Sequence, residues 1–140
     1  MKVLRGLKAA AGRFRRPIVT IGNFDGVHYG HQVILEQLQR DARSRGAEAV
    51  VLTFDPHPVA VLAPDKAPKK LMTLAERLRT LRAIGPDACI VQRFTRAFAE
   101  IEAEDFIHDF LVDGLDVQKL LVGHDLNFGR GRRGGWFGYC

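Results

Sequence analysis

From Ile18 to Val122, short apolar runs of strand length alternate with longer amphipathic runs of helix length, and that alternation leaves few folds open. Ile18 to Ile21 reads as a buried strand introduced by Pro17. Gly30 to Arg45 reads as a helix with Ile34, Leu38 and Ala42 as its apolar stripe, ended by Gly46. Ala49 to Phe54 is a second strand, and 55–72 a long loop with four prolines. Thr73 to Ile84 is a helix opened by a capping box, Thr73 with Glu76 three residues on, and stopped by Gly85 and Pro86. Ala88 to Val91, a helix over Glu102 to Val112 closed by Gly114, and a strand at Leu120 to Val122 complete the series. Strand–helix–strand repetition predicts an α/β domain, a mostly parallel sheet with helices on both faces. In such sheets ligands bind beyond the carboxyl ends of the strands.

Three loops leave those ends carrying chemistry: Gly22 to His31, Asp55 to Pro58, and Gly123 to Arg133. The first, GNFDGVHYGH, runs into the start of a helix, where free N–H groups and the helix dipole favour an anion. Gly22 and Gly26 let the backbone approach a ligand, and His28 and His31 stand three residues apart at the same helix start. Two imidazoles there suit a phosphate whose charge grows in a transition state. The spacing is neither that of a P-loop nor that of the dinucleotide fingerprint. Two other readings stay open: the histidines cap the helix or fill space, or they join Asp55, His57 and His124 in a zinc site. The second loop, TFDPHP, is stiffened by Pro56 and Pro58, and taken alone is a rigid turn. The third, VGHDLNFGRGRRGG, combines glycines with Arg130, Arg132 and Arg133, as a loop closing over phosphates does, or a solvated basic loop. The Phe106 and Phe110 stripe reads as core.

The chain of 140 residues is long enough for one domain with its own core. Its net charge of +5 is uneven, with Lys2, Arg5, Lys8, Arg13, Arg15 and Arg16 unopposed by any acid in residues 1–16. That basic lead-in has the composition of a transit segment but runs almost directly into a strand. It lacks the interleaved aromatic residues of a nucleic-acid surface, so nucleic acid is not the expected partner. No apolar run reaches membrane-spanning length, so no membrane association is expected. Cys89 and Cys140 are far apart, without zinc or disulfide spacing, which predicts a cytoplasmic setting.

Taken together, VTIGNFDGVHYGHQVIL, VLTFDPHP, TLAERLRTLRAIG and VGHDLNFGRGRRG resemble the adenylyltransferase (FAD synthetase) module of the bacterial bifunctional riboflavin kinase/FAD synthetase family, from about Pro17 to Gly134. The HxGH element alone marks only the wider nucleotidyltransferase superfamily; the longer run with its two companion loops is far more specific. The resemblance implies a Rossmann-like nucleotidyltransferase fold. It also implies transfer of AMP from ATP to FMN, giving FAD and pyrophosphate, with Mg2+ whose ligands it does not identify. It assigns His28 and His31 to the ATP phosphates and the transition state, and Gly22, Phe24 and Gly26 to the nucleotide. Asp125 falls near both phosphates and flavin, while Leu62, Phe106 and Phe128 fall at flavin positions. In the family a further strand, an ISST-R-like element and a riboflavin kinase domain follow. None is recognisable in these 140 residues, and GGWFGYC departs from the pattern. The expectation is therefore an incomplete module over 17–134 with an atypical tail at 135–140. Its alternatives are an inactive nucleotide- or flavin-binding fragment, and a nucleotidyltransferase with another acceptor.

Overall fold

The structure, a computed structural model, describes residues 1–24, 29–67 and 72–122, with residues 29 and 30 described by backbone alone. Five parallel strands form one sheet: β1 (Lys2–Arg5), β2 (Ile18–Ile21), β3 (Ala49–Asp55), β4 (Ala88–Arg93) and β5 (Lys119–Val122), in the order β1-β4-β3-β2-β5. The helices are α1 (Leu7–Ala10), α2 (Tyr29–Arg45), α3 (Pro58–Leu62), α4 (Leu74–Ile84), α5 (Arg96–Ala99) and α6 (Ala103–Asp105), the last continuing as a π-helix over Phe106–Gly114.

The three inner strands, β2, β3 and β4, are buried on both faces, as parallel sheets require, while the edge strands β1 and β5 are half-buried to exposed. Val19, Ile21, Val50, Leu52, Phe54 and Ile90 face a core shared with Leu7 and Ala10 of α1 and with Phe106 and Leu111 of the π-helix. Their alternates Ile18, Ala49, Val51, Cys89 and Val91 face a second core built with Leu35, Leu38 and Ala42 of α2 and Leu81 of α4. The period of two along each strand thus divides the apolar residues between two helical layers. Successive crossovers step from β2 to β3 to β4, then return across the sheet to place β5 on the other side of β2. The strand order therefore reverses between β2 and β5, the switch point at which doubly wound sheets bind ligands. Lys119 Nζ lies 2.7 Å from Asp41 Oδ2 and ties β5 to α2; this hydrogen bond is the leading cause that holds the Asp41 carboxyl below its usual range.

Several sequence expectations shift. The basic lead-in contains an edge strand, since Lys2 to Arg5 pair in register with Ala88 to Val91. An edge strand needs hydrogen bonds on one side only and tolerates charged ends, so its four residues do not carry the apolar signature of a central strand. The inner stripe of α2 is Leu35, Leu38 and Ala42, extended backwards by His31, with Ile34 only half-buried beside it. The long loop after β3 holds α3 and a 3-10 turn at Pro64–Lys66. The short helix α5, capped by Thr95 Oγ1 accepting from Phe98 N–H at 3.0 Å, was not expected. The capping box on α4 is present in both directions, and Gly85 ends that helix at φ 99°.

Candidate functional site

At the carboxyl end of β2 the chain turns over three residues, Gly22, Asn23 and Phe24. Phe24 takes φ 51°, left-handed backbone that a phenylalanine rarely adopts and that costs of order 1–3 kcal/mol. The turn folds its ring back over Gly22 and into the core shared by α2 and α4, where it is 1% exposed. A Cβ on Gly22 would lie 2.8 Å from Phe24 Cε2 and 2.9 Å from Cζ, so the close approach of ring to backbone needs glycine at 22. The same ring meets the His31 imidazole with centroids 5.2 Å apart and planes tilted by 58°. His31 is 2% exposed, one turn before Leu35 on the inner stripe of α2. The first turn of α2 carries no acidic residue, so its positive end is not offset by its own side chains.

Gly22, Phe24 and His31 thus come together where β2 gives way to α2. Gly26, His28, Asp125 and Phe128 lie outside the described residues. Leu62 closes α3 and packs, half-buried, against the core that contains Phe106. That core includes a chain of rings: Phe54 with Phe94 at 5.8 Å, Phe94 with Phe98 at 6.0 Å, and Phe98 with Phe106 at 6.1 Å, the last nearly perpendicular. Phe106 is 0% exposed within it. The reading of the Phe106 stripe as core therefore describes its surroundings.

The TFDPHP loop is anchored from below. His57 Nδ1 accepts from Val59 N–H at 3.1 Å and caps α3, so this imidazole nitrogen is used in the loop itself. Asp55, at the end of β3, stays half-exposed next to a cis Asp55–Pro56 bond. Of the zinc alternative, His28 and His124 lie outside the described residues. Among the described residues, His108, Asp109 and Asp113, exposed on the π-helix, bring three potential metal-ligating atoms within 4.8 Å of one another. Hydrogen bonding to Asp109 and the charge of Asp113 raise the His108 pKa.

Sequence reasoning passed over one buried cation. Arg77 is 3% exposed, and its guanidinium donates to Thr53 Oγ1 at 2.9 Å and to the Phe54 carbonyl at 2.6 Å, with Asp55 Oδ1 at 3.5 Å. The signal was available: Leu74, Arg77, Leu78 and Leu81 occupy the i, i+3, i+4, i+7 positions of one helix face, and a charge inside such a stripe must find polar partners. A cavity of about 250 Å³ lined by Gln39, Arg43, Ala49, Gly85 and Asp87 lies at the opposite, amino end of the sheet and has no part in this site.

Among the described residues no helix is long and apolar enough to cross a membrane. The family model of FAD synthetase matches residues 12–137. The chain is 44% identical over 135 residues to a bifunctional riboflavin kinase/FMN adenylyltransferase of Escherichia coli (strain K12), covering 96% of this chain and 43% of that protein. It is 40% identical over 134 residues to a protein so named from Pseudomonas fluorescens, with the same coverage of each. The chain therefore spans less than half the length of these relatives. A solved structure of a macrolide-efflux protein from Streptococcus pneumoniae superposes with a TM-score of 0.75 at 26% identity, over 91% of this chain and 43% of that one. The glycine turn, the helix start and the strand order agree with what the match to residues 12–137 establishes: the chain belongs to the FAD synthetase family.

Proposed function

We propose that this chain is an FMN adenylyltransferase, moving AMP from ATP to FMN to give FAD and pyrophosphate. The observation that carries the reading is the seating of His31. It lies at the start of α2, against Phe24, beside the switch point of a sheet whose family is that of FAD synthetases. A phosphate oxygen of FMN attacks the α-phosphorus of ATP, the bond from that phosphorus to the β-phosphate bridging oxygen breaks, and pyrophosphate leaves with the electron pair. The FMN phosphate is already a nucleophile, so the protein's work is alignment and stabilisation of charge on the phosphoryl oxygens. In this reading His28 and His31 meet the growing charge, assisted by the amino end of α2, and Gly22, Phe24 and Gly26 lie along the nucleotide. Asp125 stands near phosphates and flavin, and Leu62, Phe106 and Phe128 are assigned to the flavin side of the site.

Magnesium is the expected companion of ATP. It takes oxygen donors, and the half-exposed Asp55 carboxylate at the end of β3 is of that kind and would hold the ion directly or through water. When bound, it neutralises phosphate charge. This reading sets the reaction in the cytoplasm, where the thiol of Cys89 stays reduced. The test is direct: incubate the chain with ATP, FMN and Mg2+, and measure FAD and pyrophosphate in equal amounts. Binding of ATP or FMN without product would overturn the reading in favour of a binding fragment. Adenylylation of a different phosphate acceptor, with FMN refused, would overturn it in favour of another nucleotidyltransferase.

A further inference from the structure

Burying a guanidinium is costly unless its donors are satisfied, and apolar residues of similar volume often stabilise a core as well or better. Leucines flank Arg77 at 74, 78 and 81 on the same helix, so packing alone does not call for a cation there. Its bonds show what the charge does instead. Nη1 donates to Thr53 Oγ1 at 2.9 Å and to the Phe54 carbonyl at 2.6 Å. A hydroxyl has one proton to give. Thr53 Oγ1, accepting from Arg77, gives its proton to the Asn23 carbonyl at 3.2 Å. Thr53 and Asn23 are 0% and 1% exposed, so this relay runs where hydrogen bonds are strong and polarise one another. It joins three segments remote in sequence: α4, the end of β3, and the turn after β2. Its last acceptor is the residue between Gly22 and Phe24, and the Phe24 ring packs on His31.

We propose that Arg77 is a positioning residue. Through Thr53 it fixes the Asn23 carbonyl, holds the Gly22–Phe24 turn in its left-handed form and so sets the His31 imidazole for adenylyl transfer. This role rests on the FMN adenylyltransferase reading, but the relay can be tested without it. Thr53→Val removes the hydroxyl and keeps the β-branched shape; Thr53→Ser keeps the hydroxyl and serves as the rescue. Arg77→Lys keeps the charge and loses the forked geometry.

Three quantities are measured on each variant: the thermal melt, the side-chain resonances of His31 in protein labelled at its five histidines, and kcat and KM for FAD formation. The expected result for Thr53→Val is a cooperative melt, displaced His31 resonances, and kcat lower by about tenfold to a hundredfold with KM for ATP held. Arg77→Lys is expected to follow it, and Thr53→Ser to return all three to wild type. Wild-type His31 resonances in folded Thr53→Val overturn the relay. A fall in stability with unaltered kcat overturns the positioning role and leaves Arg77 a structural cation. If the wild-type chain makes no FAD, the enzymatic reading and the positioning role fall together, while the His31 resonances still decide whether the relay exists.

Discussion

The Phe24 ring stands 5.2 Å from the His31 imidazole, centroid to centroid, and reaches that place only because Phe24 adopts φ 51°. Strain in the turn and burial of the histidine are two sides of one arrangement. A turn with Phe24 in ordinary extended backbone would carry the ring away from Gly22 and leave His31 without its apolar neighbour. Left-handed backbone at a bulky residue persists only where surrounding contacts over-determine it, and such residues concentrate at functional sites. Here the contacts are Gly22 beneath the ring, His31 beside it, and the Asn23 carbonyl held by Thr53.

Gly22→Ala tests the first of these contacts. Its methyl group would meet two ring carbons at under 3 Å, and a ring that is 1% exposed has little room to give. The expected loss is about 1–3 kcal/mol of folding stability, the usual cost of overpacking a core. ATP binding should weaken in parallel. Urea unfolding of Gly22→Ala, Phe24→Leu and the double variant would show non-additivity, because the smaller side chain at 24 relieves the clash. Strict additivity of the two losses would mean that the ring and the α-carbon of Gly22 are not in contact.

Removal of either histidine should act on rate. Losing one electrostatic donor at a transition state commonly costs about a hundredfold or more in kcat, so His28→Ala and His31→Ala should each nearly abolish FAD formation. His31→Ala should also lower stability, since the imidazole is 2% exposed and fills space against Phe24. Turnover is therefore compared at a temperature where near-UV circular dichroism shows both variants folded. Near-normal turnover by either would refute its assigned role.

How much of this was legible follows from the range of the interactions involved. Ile18–Ile21, the Thr73–Glu76 box and the glycine stops at 46 and 85 are local patterns, set by side chains within a few residues of one another, and each stands in the structure. The edge strand Lys2–Arg5 was hidden because what stabilises it is the backbone of β4, more than eighty residues away. Its apolar residues, Val3 and Leu4, form only a pair between Lys2 and Arg5, too short a run to read as a strand. The π-helical turn from Phe106 onward widens a helix whose apolar spacing alone suggests ordinary α geometry. At the site, the glycines and the HxGH element were visible, but the Arg77–Thr53–Asn23 relay joins three segments that only the folded sheet brings together. The strain at Phe24 has no sequence signature, because nothing in the letters F-D-G assigns positive φ to the phenylalanine rather than to the glycine.

The capping box makes a pH-dependent prediction. Glu76 Oε1 accepts from Thr73 N–H at 3.0 Å while Thr73 Oγ1 accepts from Glu76 N–H at 3.1 Å. The hydrogen bond to the Thr73 backbone, then that to its side chain, hold the Glu76 carboxyl below its ordinary pKa. A carboxyl depressed in the folded state stabilises fully above its unfolded value, and that contribution is lost as pH falls through the folded value. Wild type should therefore be more stable than Glu76→Gln at neutral pH, and the gap should close in acid below the ordinary glutamate range. Thr73→Ala should cost about 1 kcal/mol at neutral pH. Thermal melts across the acid range settle both points; a gap between wild type and Glu76→Gln that widens as pH falls would contradict the assigned direction.

Cys89 offers a probe of the core that does not depend on activity. It is 0% exposed in β4, and burial in apolar surroundings pushes its thiol pKa up to about 12. The thiolate is the reactive species, so in folded protein near pH 8 this cysteine should resist iodoacetamide almost completely. Labelling followed by mass mapping of the peptide that contains Cys89 reads this site independently of the second cysteine, Cys140. Urea that unfolds the sheet should expose the thiol, and the labelled fraction should follow the circular dichroism transition. Because β4 lies between β1 and β3, early labelling below that transition would show β1 detaching before the rest of the sheet. Rapid labelling in native buffer would contradict the burial of β4 and with it the two-layered packing on which the placement of α2 and α4 depends.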